Sequence, residues 1–324
     1  VQYKDELNIT DENDINYDVN FIDKNINDDE ETIVNTDKSL TFAYAYKCTG
    51  SSHTRENKQC QDACKILMKR IKEKQVIILA VGDGHGNSKY DLSEYGSKIV
   101  VDDIADELVK FYDSFLENKA VLGQNFDMFK ILKSEFPERI VRRWKDDVIK
   151  HYEENYCSDN LTFDNNEKKN IIKRYGTTAL FALIIPEGMV IGQIGDGDIT
   201  IANEDTVEIP LPTSDELLAN VTFSMTSDNA YFLWNISQIA IDSRTMIMLS
   251  TDGLSNSYAS DESFFRFIRS LFDNLIVCNN IEDIGNINIP DYIKRASFNG
   301  SGDDITIAFA IIDPKMFIQG ENIC

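Results

Sequence analysis

The sequence predicts an α+β fold built as an antiparallel sandwich, and three observations lead there. Strand-like runs open the patterned part of the chain, two long helical stretches follow, and mostly strands close it, an order unlike alternating βαβ units. No repeat of fixed period is present. Acidic motifs fall where apolar strands begin or end, as expected of a rigid sheet scaffold carrying polar loops. With 324 residues, 42% of them hydrophobic, the chain suffices for one large domain or two small ones with a substantial core.

Taken in order, residues 1 to about 38 are rich in Asp, Glu and Asn with few large apolar residues, and read as an acidic, loosely ordered N-terminal arm (1–38) ahead of one domain over 39–324. TFAYAYK from Thr41 alternates like a strand, and DACKILMK and VIILAVG read as two strands joined by a polar turn. Beyond the glycine-rich segment 82–86, apolar residues at Ile99, Val100, Ile104, Leu108 and Val109 predict a helix over about 93–116. A second helix is predicted over about 126–152. Strands follow at 177–185, 189–194, 198–202, 245–250 and 305–312, with short helices around 262–272 and 290–295.

The net charge of −23 argues against nucleic acid as a partner, because phosphate backbones are bound by neutralising them with Lys and Arg. An anionic membrane surface is disfavoured for the same reason. The longest apolar stretch, 179–195, is broken by Pro186-Glu187-Gly188 and reads as two strands around a turn, not as a membrane span. No apolar leader is visible at the N-terminus, and the six cysteines are irregularly spaced without a CxxC pair, so a cytoplasmic protein with reduced thiols is expected. Zinc on Cys60, Cys64 and His53 lacks the usual four soft ligands. A phosphate-bearing substrate could approach so acidic a chain only where local cations invert the field.

Three acidic motifs adjoin apolar strands: VIILAVGDGHGN at 76–87, MIMLSTDGLSN at 246–256 and SGDDITIAFAII at 301–312. Each Asp-Gly pair presents a carboxylate where the backbone turns sharply, though each alone is also an ordinary turn signal. Carboxylates brought together repel one another and take up protons unless cations neutralise them.

With NKQCQDA at 57–63, YGTTALFALI at 175–184 and IGQIGDGDITI at 191–201, these motifs form an ordered series over roughly residues 41–312 that resembles the metal-dependent, type 2C serine/threonine protein phosphatases. The resemblance implies a four-layer αββα sandwich of two antiparallel sheets flanked by helices. It implies two Mg²⁺ or Mn²⁺ ions and a third, weaker one. Asp83 would bridge the first two, with the Gly84 carbonyl on one of them; Asp252 and Asp303 would complete one site, Asp62 would hold the other through water, and Asp196 would bind the third. In-line attack by a metal-bridging hydroxide on phosphoserine or phosphothreonine is implied, with Asp83 and His85 catalytic and His85 the general acid. The implied partners are a phosphorylated protein substrate and a cognate Ser/Thr kinase.

Two departures stand out. The family often carries Arg five residues before the Asp of the QD motif, to grip phosphate, and here Asn57 stands there; Arg55 or His53 is expected to substitute, Arg55 keeping the right face if the segment is a strand. The family usually has a Ser and an Arg after the Asp of the GD segment, so Asp198 either adds a carboxylate near the third-metal position or faces solvent at a strand start. The missing Arg keeps a second class open, a phosphatase-like regulatory or binding module with impaired catalysis. Other readings fit less well. GDxHG of calcineurin-like phosphatases needs more histidine than the three present, C-x5-R at 64–70 is too bulky for a phosphate cradle, and the 82–86 glycines have the wrong spacing for a dinucleotide loop.

Overall fold

The long strands are apolar on both faces because both faces are covered. A computed structural model describes residues 22–35, 42–122, 127–157, 162–211, 223–278, 284 and 287–314. One sheet combines β1 (Ile22–Asn25), β4 (Ala63–Ile71), β5 (Lys74–Gly82), β6 (Ala179–Ile185), β7 (Gly188–Ile194) and β10 (Asn235–Ile239), in the order β1-β4-β5-β6-β7-β10. The other combines β2 (Glu31–Asn35), β3 (Phe42–Cys48), β8 (Asp198–Ala202), β9 (Val207–Glu208), β11 (Thr245–Ser250) and β12 (Ile305–Ile312), in the order β2-β3-β12-β11-β8-β9. Every pairing is antiparallel.

Side-chain alternation sorts each strand between two layers. Along β5, Ile77, Leu79 and Val81 meet Ala45, Leu249 and Ala308 between the sheets, while Val76, Ile78 and Ala80 turn outward to the helices α2 (Ser93–Leu122) and α3 (Met128–Tyr156). On the opposite outer face, Tyr44, Met248 and Phe309 pack against α6 (Asp261–Ile276) and α7 (Ile289–Asn299). This is the expected αββα sandwich. Arg143 on α3 reaches Asp103 (2.8 Å), Asp106 (2.7 Å) and Glu107 (3.2 Å) on α2, clasping the two long helices. The fully buried Trp144 donates its indole N–H to the Gly96 carbonyl at 3.0 Å.

The predicted strands over 198–202, 245–250 and 305–312 have those bounds. Elsewhere the structure differs from expectation for physical reasons. Of the arm expected over 1–38, residues 1–21 and 36–38 lie outside the described residues, but β1 and β2 join the two sheets. Among the described residues both are edge strands, paired on one side only, and such strands need little apolar sequence. The unforeseen helix α4 (Asn165–Arg174) buries only Ile171 and is set by a capping box between Asp164 and Glu167, a D-x-x-E signal visible in the sequence. Among the described residues no helix is long and apolar enough to cross a membrane.

Candidate active site

Asp83 leaves β5 with its backbone tied at both ends. Its N–H donates to the Thr178 hydroxyl (3.2 Å), and its carbonyl accepts from the Thr178 N–H and the Thr177 hydroxyl (both 2.9 Å). Gly84 is pressed against the neighbouring loop: a Cβ there would lie 2.5 Å from the Gln61 carbonyl oxygen, so only glycine lets the Asp62 and Asp83 segments approach. Asp62 itself is buried; it accepts from the Thr251 hydroxyl at 2.9 Å, and Lys47 donates to its backbone carbonyl at 3.1 Å.

Asp252 opens the short helix α5 (Asp252–Ser255) directly after β11, and Asn256 donates to its carboxylate at 3.0 Å. Asp303 lies exposed in the loop entering β12, and Asp196 follows β7 past Gly195, whose φ of +115° is left-handed. Burial, and after it the charge of Asp62, Asp252, Asp303 and Asp196, holds the Asp83 carboxyl well above the usual carboxylate range. Burial, then Asp196 and Asp303, pushes Asp252 up to about 6. Asp62 is raised by burial and then by Asp304, against the pull of the hydrogen bond from the Thr251 hydroxyl.

The five predicted aspartates therefore share one end of the sandwich. As a donor set they are hard, anionic and all-oxygen, and their mutual repulsion is what bound divalent cations would relieve. The residues fit Mg²⁺ or Mn²⁺. Asp198 does not face solvent as a strand-start residue could: its Oδ2 is buried without a hydrogen-bond partner among the described residues, and burial raises its carboxyl against the pull of Ser255.

His85 sits half-buried beside this cluster, its backbone N–H donating to the Gly176 carbonyl at 3.0 Å and its ring 4.7 Å from that of Tyr90. Burial holds its imidazole below the ordinary value, with Asp196 opposing. A Cβ on Gly176 would lie 2.5 Å from His85 Cδ2, so that glycine is the floor under the ring.

Of the two expected phosphate contacts, only His53 meets the carboxylates. The segment is a helix, α1 (Ser51–Glu56), not a strand, and residues two apart on a helix face opposite ways. Arg55 instead donates to the Ser51 carbonyl (3.1 Å) and hydroxyl (3.2 Å). His53 Nδ1 lies 2.9 Å from Asp304 Oδ1, and ligand atoms of His53, Asp303 and Asp304 fall within 4.8 Å of one another. Its hydrogen bond to Asp304, partly opposed by burial, raises the His53 imidazole above its usual value. Asn57 ends α1 with φ 53°.

Asp304 was missed by sequence reasoning. Its buried carboxylate accepts from the Gly50 N–H (2.7 Å), the Gln61 N–H (2.8 Å) and His53, binding α1 and the Asp62 loop to the start of β12. The doubled Asp of GSGDD was the available signal.

The family model for Protein phosphatase 2C matches residues 49–282. The chain belongs to the protein phosphatase 2C family, which makes it by class a protein serine/threonine phosphatase. Its fold is similar to that of the S. agalactiae serine/threonine phosphatase, with 17% identity, coverage of 88% of this chain and 100% of that chain, and a TM-score of 0.52. A point variant of a bacterial serine phosphatase matches at 20% identity over 84% of this chain and 98% of its own, with a TM-score of 0.51. A C. elegans sex determining protein shares the fold at 15% identity, over 89% of this chain and 67% of that chain, with a TM-score of 0.52. No curated protein sequence matches the chain.

Proposed function

We propose that the chain hydrolyses phosphoserine and phosphothreonine on proteins at this carboxylate cluster, with Mg²⁺ or Mn²⁺ as cofactor. The observation that carries the reading is the convergence of Asp62, Asp83, Asp252 and Asp303 from separate strand ends, with burial and repulsion raising the proton affinity of Asp83. Asp83, the Gly84 carbonyl, Asp252, Asp303 and Asp62 would hold two ions, and Asp196 a third. Bound there, the ions supply an activated water for in-line attack on phosphorus and neutralise the phosphoryl oxygens.

The chain's own residues do the rest. The Thr177 and Thr178 bonds fix the Asp83 backbone, so that its carboxylate enters the site preorganised. His53, oriented by Asp304, takes the place of the arginine absent at Asn57 and donates to a phosphate oxygen. His85 delivers a proton to the departing serine or threonine oxygen. A serine/threonine kinase must install the phosphate that is removed. The reading is tested by following a phosphothreonine peptide with Mn²⁺ and with EDTA: hydrolysis is expected only with the metal, and full activity in EDTA contradicts it.

A further inference from the structure

A cleft of about 1050 Å³ opens beside the catalytic centre, between α1, α7 and the turn joining β1 to β2. It lies on the face of α1 opposite His53, and its wall is continuous with the catalytic loop. The Ser51 N–H donates to the Ser297 hydroxyl (3.2 Å), which in turn donates to the Asp303 carbonyl at 2.9 Å. A chain running out of the carboxylate centre over α1 would enter this cleft.

In a protein of net charge −23, the cleft gathers Arg55, Lys58, Lys294 and Arg295 against the carboxylates of Asp29 and Asp291. Lys294 is spent on Asp29 at 3.1 Å, and Lys58 on Glu56 at 2.6 Å. The two arginines are less committed. Arg55 bonds only Ser51 among the described residues, and Arg295, 73% exposed, reaches Asp291 at no closer than 3.7 Å. Phe298, 71% exposed, lines the same cleft and adds an apolar surface to these two guanidinium forks.

We propose that this cleft is a docking subsite for an acidic stretch of the phosphoprotein substrate flanking its phosphorylated residue. Arg55 and Arg295 donate to carboxylates of that stretch, and Phe298 covers an apolar side chain of it. Charge complementarity selects the occupant: an acidic chain is repelled by most of this surface and is attracted where these side chains cluster. The proposal rests on the phosphatase reading and adds to it a preference for acidic flanking sequence.

The direct test is fluorescence anisotropy of a labelled, unphosphorylated Glu/Leu peptide titrated with the full chain, beside the Gln/Leu analogue. The Glu peptide is expected to bind more tightly, and Arg55→Glu with Arg295→Glu to weaken it about tenfold. Equal binding of the two peptides, or no loss in the double variant or in the milder Arg295→Ala, overturns the proposal. A second arm compares phosphothreonine peptides with Glu and Gln flanks. The double variant should lose the Glu preference in kcat/KM while hydrolysing p-nitrophenyl phosphate at the wild-type rate. A proportional fall on p-nitrophenyl phosphate would put Arg55 in the phosphate site and overturn the docking role. If wild type hydrolyses no phosphate ester with Mn²⁺, the phosphatase reading fails, and the anisotropy still decides the cleft.

Discussion

Asp83 and His85 are two residues apart, yet burial drives their proton affinities in opposite directions, raising the carboxyl and lowering the imidazole. For Asp83 this means that the charge needed for cations is held at a cost to folding. Asp83→Asn is expected to cut turnover by at least about 10²-fold while raising the melting temperature of the metal-free protein. Activity assays and thermal melts in EDTA check both halves. His85→Ala should slow a phosphothreonine peptide by about 10² to 10⁴-fold but p-nitrophenyl phosphate far less, because nitrophenolate departs without a proton. The lowered imidazole also sets a sign. The acid form is lost as pH rises through a value below the ordinary ~6.5, so the optimum for the peptide should lie at lower pH than that for p-nitrophenyl phosphate.

At the scale of elements, what was legible followed from how each element is held. Strands β5, β8, β11 and β12 are covered on both faces, so their apolar runs announce them and fix where Asp83, Asp252 and Asp303 stand. Helix α1 is different. Its six residues bury no side chain, and it is held by the Ser52 N–H on the Gly302 carbonyl (2.8 Å) and by the Asp304 carboxylate, contacts from the far end of the chain. No local pattern could show that His53 and Arg55 would part to opposite sides. If His53 grips the phosphate, His53→Gln should raise KM for a phosphopeptide about tenfold with little change in Mn²⁺ affinity; an unchanged KM would assign the histidine a purely structural part. The α2–α3 clasp supplies a control remote from the chemistry. Arg143→Ala leaves Asp103 buried without its partner and should cost about 2 kcal/mol in urea unfolding, with kcat at 25 °C preserved.

For the whole molecule, the active end is a region where the fold carries repulsion that its cations relieve. Asp252 shows the pH consequence: its carboxyl titrates at about 6 in the folded protein, against about 4 when unfolded. Between those values the folded chain keeps a proton that the unfolded chain has released, so this group's contribution to stability falls as pH rises and is lowest above about 6. In EDTA, Asp252→Asn should therefore stabilise the protein more at pH 7.5 than at pH 5, and hardly at all near pH 4. The sandwich and the places of Asp83, Asp252 and Asp303 beside strand ends were readable because such patterns are local, whereas Asp62 and Asp196 entered only through the family resemblance. The Asp304 network and the α1–α7 cleft were not readable, since both arise from segments about 250 residues apart meeting in space. The most direct measurement of the central claim is calorimetric titration of Mn²⁺ into the metal-free chain and its Asp83→Asn variant. Two tightly bound ions per wild-type chain, beside the weaker third, are predicted, with their binding lost or strongly weakened in the variant; no binding to wild type, or the same binding in both, would contradict the account.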